Sequence, residues 1–177
     1  MPARYESHCI GCPYHNAAHL PVASRQVRSV PLSMEDHGAS ILLIFQALGV
    51  EEWTNGRPVA GTNPGSAGVR LEAAFRIARR TRQDYNLTNT VQCFPGKKPQ
   101  VGAARSRDSA PRAAARQHCS EWLRQDIQAH SYKRIVVFGA HARRAVRDLG
   151  FGDDPRFHFI RHPTGGISNE DLAKAVG

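Results

Sequence analysis

A chain of 177 residues with 24 Lys and Arg against 15 Asp and Glu carries a formal charge of +9 and a pI near 10.0. It is long enough to bury a real core as one domain over 1–177, and no apolar run approaches the length of a membrane span. Met1–Cys12 lacks the apolar segment of a secretory signal, so a cytoplasmic, thiol-reducing setting is expected.

In chain order, the first feature is HCIGCPYHN, where Cys9 and Cys12 stand three apart with His15 and His19 close behind. Residues 41–45, ILLIF, form a continuous apolar run of the kind found in buried parallel strands. Glycines and prolines crowd 55–68, which predicts a loop. Ser66 is placed to cap a helix through AGVRLEAAFRIARR, with Leu71, Ala74, Phe75 and Ala78 on one face. YNLTNTVQC alternates weakly and predicts a second strand. Residues 94–112 are polar and rich in Pro and Gly, a second loop. A helix is predicted near 111–129, with Ala115, Cys119, Trp122, Leu123 and Ile127 at helical spacing. KRIVVFG predicts a third strand, followed at once by the helix AHARRAVRDLG, which Gly150 can end. RFHFIRHP predicts a fourth strand. Alternation of this kind implies an α/β chain with a parallel sheet and helices on both faces. In such sheets ligands bind beyond the carboxyl ends of the strands, here FQALG, TNTVQC, FGAH and RHPTGG.

Four cysteines in a reduced protein read better as metal ligands than as bridges. A local zinc finger from Cys9, Cys12, His15 and His19 is disfavoured, because such a finger separates its pairs by about a dozen residues. Cys93 and Cys119 supply the remaining thiols for a four-cysteine site. Zinc and a 4Fe–4S cluster both accept four thiolates, so spacing does not choose between them. The bland reading of Cys93 and Cys119 is two small buried hydrophobes. The positive charge points to a polyanion, nucleic acid first; a basic surface with no specific partner is the alternative. Lys97, Lys98, Arg105, Arg107, Arg112 and Arg116 cluster in and just after the second loop against one acid, Asp108.

CIGCPYHN, GRPVAG with GSAGVRL, LTNTVQCFPGKKP, RQHCSEWLRQDI, RIVVFGAHARRAV and HPTGG occur in the order seen in the iron–sulfur, family 4-like uracil-DNA glycosylases. The chain resembles that family over nearly its whole length, with an enlarged loop at about 20–38. The resemblance implies a three-layer α/β/α sandwich around a four-stranded parallel sheet. It implies a structural 4Fe–4S cluster on Cys9, Cys12, Cys93 and Cys119, and a monomeric enzyme that excises uracil or a related base from DNA. It implies a base pocket of Gln46, Ala47, Val59, Asn89 and His162. In that pocket Asn89 would read the pyrimidine edge, whose O4 and N3–H match an amide, and His162 would donate to the leaving base. Lys97, Lys98, Arg105, Arg107 and Thr164 would contact the DNA backbone, and Ile167 would wedge into the emptied stack.

Two positions depart from the family. Gln46, in Phe45-Gln46-Ala47-Leu48-Gly49, stands where relatives carry the glutamate that assists water. Val59, in Gly56-Arg57-Pro58-Val59-Ala60-Gly61, stands where they carry a phenylalanine that stacks on uracil. The spacing from Cys93 to Cys119 is also longer than usual. A covalent variant of the reaction uses a histidine in the basic loop, and this loop has none. Glu51 and Glu52 are nearby carboxylates, for which a solvated loop is the expected setting. The expectation is a glycosylase with altered preference. The alternatives are a weakened glycosylase-fold module that only binds DNA, and an unrelated zinc-containing nucleic-acid-binding protein.

Overall fold

The computed structural model of the chain describes residues 9–98 and 107–177. Four strands form one sheet: β1 (Ile41–Ala47), β2 (Asn86–Val91), β3 (Arg134–Phe138) and β4 (Phe157–Ile160). Every pairing is parallel and the spatial order is β2-β1-β3-β4. Among the described residues, six α-helices accompany them: α1 (Val22–Val27), α2 (Val50–Asn55), α3 (Ala67–Ile77), α4 (Ala113–Gln128), α5 (Gly139–Asp148) and α6 (Asn169–Val176).

The period-2 alternation of a strand sorts the side chains into two layers. Leu43, Phe45, Leu87, Val136 and Phe138 face one way and pack with Leu71 and Phe75 of α3 and Leu172 and Val176 of α6. Leu42, Ile44, Ile135 and Val137 face the other way, against Leu123 and Ile127 of α4 and Ala142 and Val146 of α5. The expected three-layer α/β/α sandwich with a four-stranded parallel sheet is therefore the fold. With both faces covered, β2 is buried at all six positions, Thr88 and Asn89 included, which is why its sequence alternates only weakly.

Several boundaries differ from expectation for local reasons. Helix α3 is capped by Ser66, whose hydroxyl accepts from Val69 N–H at 3.4 Å, but it stops at Ile77. Arg79 adopts a positive φ, 55°, and turns the Arg80 N–H onto the Phe75 carbonyl at 2.8 Å. Trp122 is partly exposed, whereas Ala115, Cys119, Leu123 and Ile127 form the buried stripe of α4. Among the described residues, no helix is long and apolar enough to cross a membrane.

The connection β1→β2 carries α3 on one face, while β2→β3 and β3→β4 carry α4 and α5 on the other. The connections thus diverge between β1 and β3, which opens a crevice at their carboxyl ends.

Candidate active site

A cleft of about 560 Å³ occupies that crevice, lined by Gln46 and Ala47 of β1, Glu51 and Glu52 of α2, Lys97, Arg107 and Asp108, and His162 and Thr164. Its floor is the turn from β1 into α2. Thr90 on β2 fixes this turn by donating its hydroxyl to the Gln46 carbonyl at 2.6 Å.

Glu51 and Glu52 are not in a solvated loop, contrary to expectation; they belong to the first turn of α2 and face the cleft. Glu52 reaches back to accept the Gly49 N–H, closing the helix start, and Glu51 accepts the Thr62 N–H at 2.7 Å. Burial pushes the Glu52 carboxyl above its ordinary range, and the neighbouring Asp108 and Glu51 add to the rise. The cleft that carries the neutral Gln46 therefore also holds carboxylates on its wall.

His162 lies beyond β4 but leans over the end of β3. A Cβ on Gly139, which has φ +86°, would come within 3.2 Å of the His162 Cβ, so glycine is needed where the chain leaves β3. The Thr164 N–H points at His162 Nδ1 from 3.3 Å and the Thr164 hydroxyl lies 2.9 Å from the same atom. A backbone N–H can only donate, so Nδ1 is an acceptor and the neutral ring carries its hydrogen on Nε2. Burial lowers the His162 pKa and favours that neutral form.

The loop holding His162 is braced from α3. Arg70 donates to the carbonyls of Pro163 and Ile167, and its Nε lies 3.2 Å from Asn169 Oδ1. The turn His162–Gly165 closes on itself through Gly165 N–H to His162 O at 2.7 Å. Arg70 lies within the motif GSAGVRL, which gave it no role of its own.

Opposite, the basic loop returns on itself. Lys98 N–H donates to Arg107 O and Ser109 N–H to Gly96 O, both at 2.8 Å, and Lys97 pairs with Asp108 at 3.6 Å. This two-stranded stem places Lys97 and Arg107 on the cleft wall. Lys98 belongs to the same stem, and Arg112 and Arg116 follow it at the start of α4. Arg105 lies outside the described residues.

Three expected base-pocket or DNA residues stand back from the cleft wall. Asn89 is 3 % exposed and pairs with Phe45, one step below Gln46. Its side chain is buried near the carboxyl end of β2. Val59 joins the α3/α6 core with φ +49°, strained for a β-branched residue. Arg82 fixes that backbone by donating to the carbonyls of Pro58 and Val59, while Glu35 binds both Arg82 and Arg57. The Gly56-Arg57-Pro58 stretch is thereby a structural clamp. Ile167 is partly buried against the same core and does not stand clear as a wedge.

None of the four thiols lines the cleft. Cys9, Cys12, Cys93 and Cys119 are all buried and unbridged; the last three share one apolar cluster with Tyr14, Leu20 and Trp53. Cys93 and Cys119 are pushed up mainly by burial, Cys119 to about 12, and each is raised further by the thiols of Cys9 and Cys12. The four are therefore electrostatic neighbours in a site where uncompensated thiolates are disfavoured, and a cationic inorganic centre is what would let them ionise. Among the described residues, no three His, Cys, Asp or Glu side chains already form a group able to hold a single metal ion. The donor set, four thiols with Tyr14 N–H directed at Cys12 Sγ at 3.5 Å, fits a four-thiolate cluster.

The model of the uracil DNA glycosylase superfamily matches residues 33–172, well over half the chain. The chain belongs to the uracil DNA glycosylase superfamily. No curated protein matches it. The superfamily match spans the cleft, His162, Cys93 and Cys119, and begins after Cys9 and Cys12. Membership gives the chain a DNA glycosylase role in general terms, with DNA as the partner.

Proposed function

We propose that this protein is an iron–sulfur, family 4-like glycosylase that flips uracil or a related altered base into the cleft and hydrolyses its bond to the sugar. The observation that carries this reading is the fixed tautomer of His162, which leaves Nε2–H free at the cleft. As the base departs it gains negative charge, and a preorganised neutral donor stabilises that charge. The place of Asn89 near the carboxyl end of β2, beside Phe45, supports pyrimidine reading: a flipped base offering a carbonyl and an N–H would match both halves of its amide. Lys97 and Arg107 on the rim suit the flanking phosphates. The sugar left behind is cationic in character. The Glu52 carboxylate gives it electrostatic support, and the Gln46 carbonyl oxygen positions water without taking its proton.

Cys9, Cys12, Cys93 and Cys119 would hold a 4Fe–4S cluster. It would supply a cross-link between the N-terminal segment, the end of β2 and α4, with no part in base removal. Anaerobically purified protein is expected to carry about four irons; one zinc and no iron would refute the assignment.

The test of function is incubation with labelled oligonucleotides carrying uracil, hypoxanthine, xanthine or 5-hydroxymethyluracil, followed by cleavage at abasic sites. Release of at least one base is expected. If none is released while DNA is still bound, the protein is a binding module on a glycosylase fold.

A further inference from the structure

The net charge of +9 is not concentrated at the cleft, where Lys97 and Arg107 meet Glu51, Glu52 and Asp108. A more one-sided patch lies on the opposite layer. A groove of about 430 Å³ runs between α4 and α5, with Arg116 and Arg124 on one wall, Arg144 on the other and Thr90 at its inner end. Arg116, Ser120 and Arg124 fall at i, i+4 and i+8, so they form one stripe about 12 Å long at 1.5 Å per residue. The acids at hand are weak partners. Arg144 Nε is 4.0 Å from Asp148 and Arg124 Nε is 3.7 Å from Glu121, all with well-exposed side chains. Arg116 is held by a carbonyl, that of Pro111, which leaves its charge uncompensated.

The groove and the cleft share a wall. Thr90, at the inner end of the groove, donates to the Gln46 carbonyl in the cleft floor. The segment from Arg107 to Arg116 runs from the rim of one to the rim of the other. A strand whose flipped nucleotide enters the cleft is thus led past Ser109 and Arg112 towards α4.

We propose that the α4–α5 groove is a second nucleic-acid contact, in which Arg116, Arg124 and Arg144 hold backbone phosphates of the strand continuing from the cleft. Spaced guanidiniums with a hydroxyl between them suit phosphodiesters, read without sequence preference. This rests on the reading of the cleft as the nucleotide entry site.

The test compares single-stranded oligonucleotides of about 4 and about 16 nucleotides, both carrying the target base. Wild-type protein should bind the longer one more tightly. The double variant Arg124→Gln/Arg144→Gln should lose most of that gain, and its salt slope on the longer strand should fall by about 1.4, two phosphates at roughly 0.7 each. Arg76→Gln/Lys174→Gln removes the same charge from the α3/α6 layer, away from the groove, and should keep both the gain and the slope. An equal loss in that control, or an unchanged length gain in the groove variant, overturns the proposal. A groove effect in a wild type that excises nothing would overturn the glycosylase reading and leave the groove assignment standing.

Discussion

On the proposed reading, His162 and Gln46 divide the chemistry unequally. In a dissociative reaction most of the barrier is departure of the base, so a donor to the leaving anion outweighs a group that places water. His162→Ala is expected to lower kcat on the order of a hundredfold, typical of one anion-stabilising donor. Gln46→Ala should cost less, and Gln46→Glu should leave the rate unchanged or raise it. Glu52 sharpens the test. Glu52→Gln keeps an acceptor for the Gly49 N–H, so folding should survive, while the support for the cationic sugar is lost. The pH profile carries a further expectation. His162 is lowered from 6.5 by burial, so neutral His162 persists as pH falls through 6.5 and kcat should stay level there. The Glu52 pKa is raised from 4.5, so the acid limb should begin above 4.5 and be reduced in Glu52→Gln. If Gln46→Ala abolishes excision while His162→Ala retains it, these roles are misassigned.

The elements matter because the reacting groups come from loops that the helices hold still. Arg70 is the clearest case, one α3 side chain tying the His162 loop at Pro163, Ile167 and Asn169. Arg70→Ala should lower kcat by roughly ten- to a hundredfold through misplacement of His162, with KM little changed, and Arg70→Lys should recover part of it. A fall in thermal stability matching the loss in rate, or a rise in KM alone, would show a merely structural role. Arg70 also marks where sequence reading ran out. The strands ILLIF and RIVVF, the α4 stripe and the Ser66 cap were legible because burial imposes a period and a cap imposes a residue type. The short helices α1, α2 and α6 were not, since six to eight residues hold too few turns to show a period. Motifs pointed to Gln46, His162 and the basic stem, which the fold brings to one cleft. The site was not legible where partners come from distant segments. Arg70 meets a loop some 93 residues away, and the setting of Glu52 depends on Asp108 beyond a long insertion. The packing of Val59 and Ile167 against the core was not legible for the same reason: sequence places a residue on a loop but does not say which way its side chain packs.

For the molecule as a whole, stability is argued from the proposed cluster and from two half-buried carboxylates. On that proposal Cys119 would tie α4 to the N-terminal segment, so Cys119→Ala should lower the unfolding temperature of the whole protein while sparing relative activity at low temperature; selective loss of excision would contradict that. The carboxylates give stability a shape in pH. Burial would raise Glu35, but hydrogen bonds from Arg82, Arg57 and His37 outweigh it and hold the group at about 2. Its folded pKa lies below the ordinary 4.5, so its contribution is full above 4.5 and is lost as pH falls towards 2. At 1.36 kcal/mol per pKa unit this amounts to about 3 kcal/mol. Asp126 does the reverse. Burial pushes it up to about 6 against hydrogen bonds from Thr88 at 2.5 Å and Gln92 at 3.2 Å. Its folded pKa exceeds the ordinary 3.8, so its contribution is full below 3.8 and is lost as pH rises through 6, again about 3 kcal/mol at most. Urea unfolding followed from pH 3 to pH 8 should therefore show, from these two groups, greatest stability near pH 4 to 5. Glu35→Gln should flatten the acid side alone. Asp126→Asn should flatten the side between about pH 4 and 6, because the amide stays neutral throughout yet still accepts from Thr88. An Asp126→Asn protein that keeps the wild-type decline across that interval would place the titration on another group.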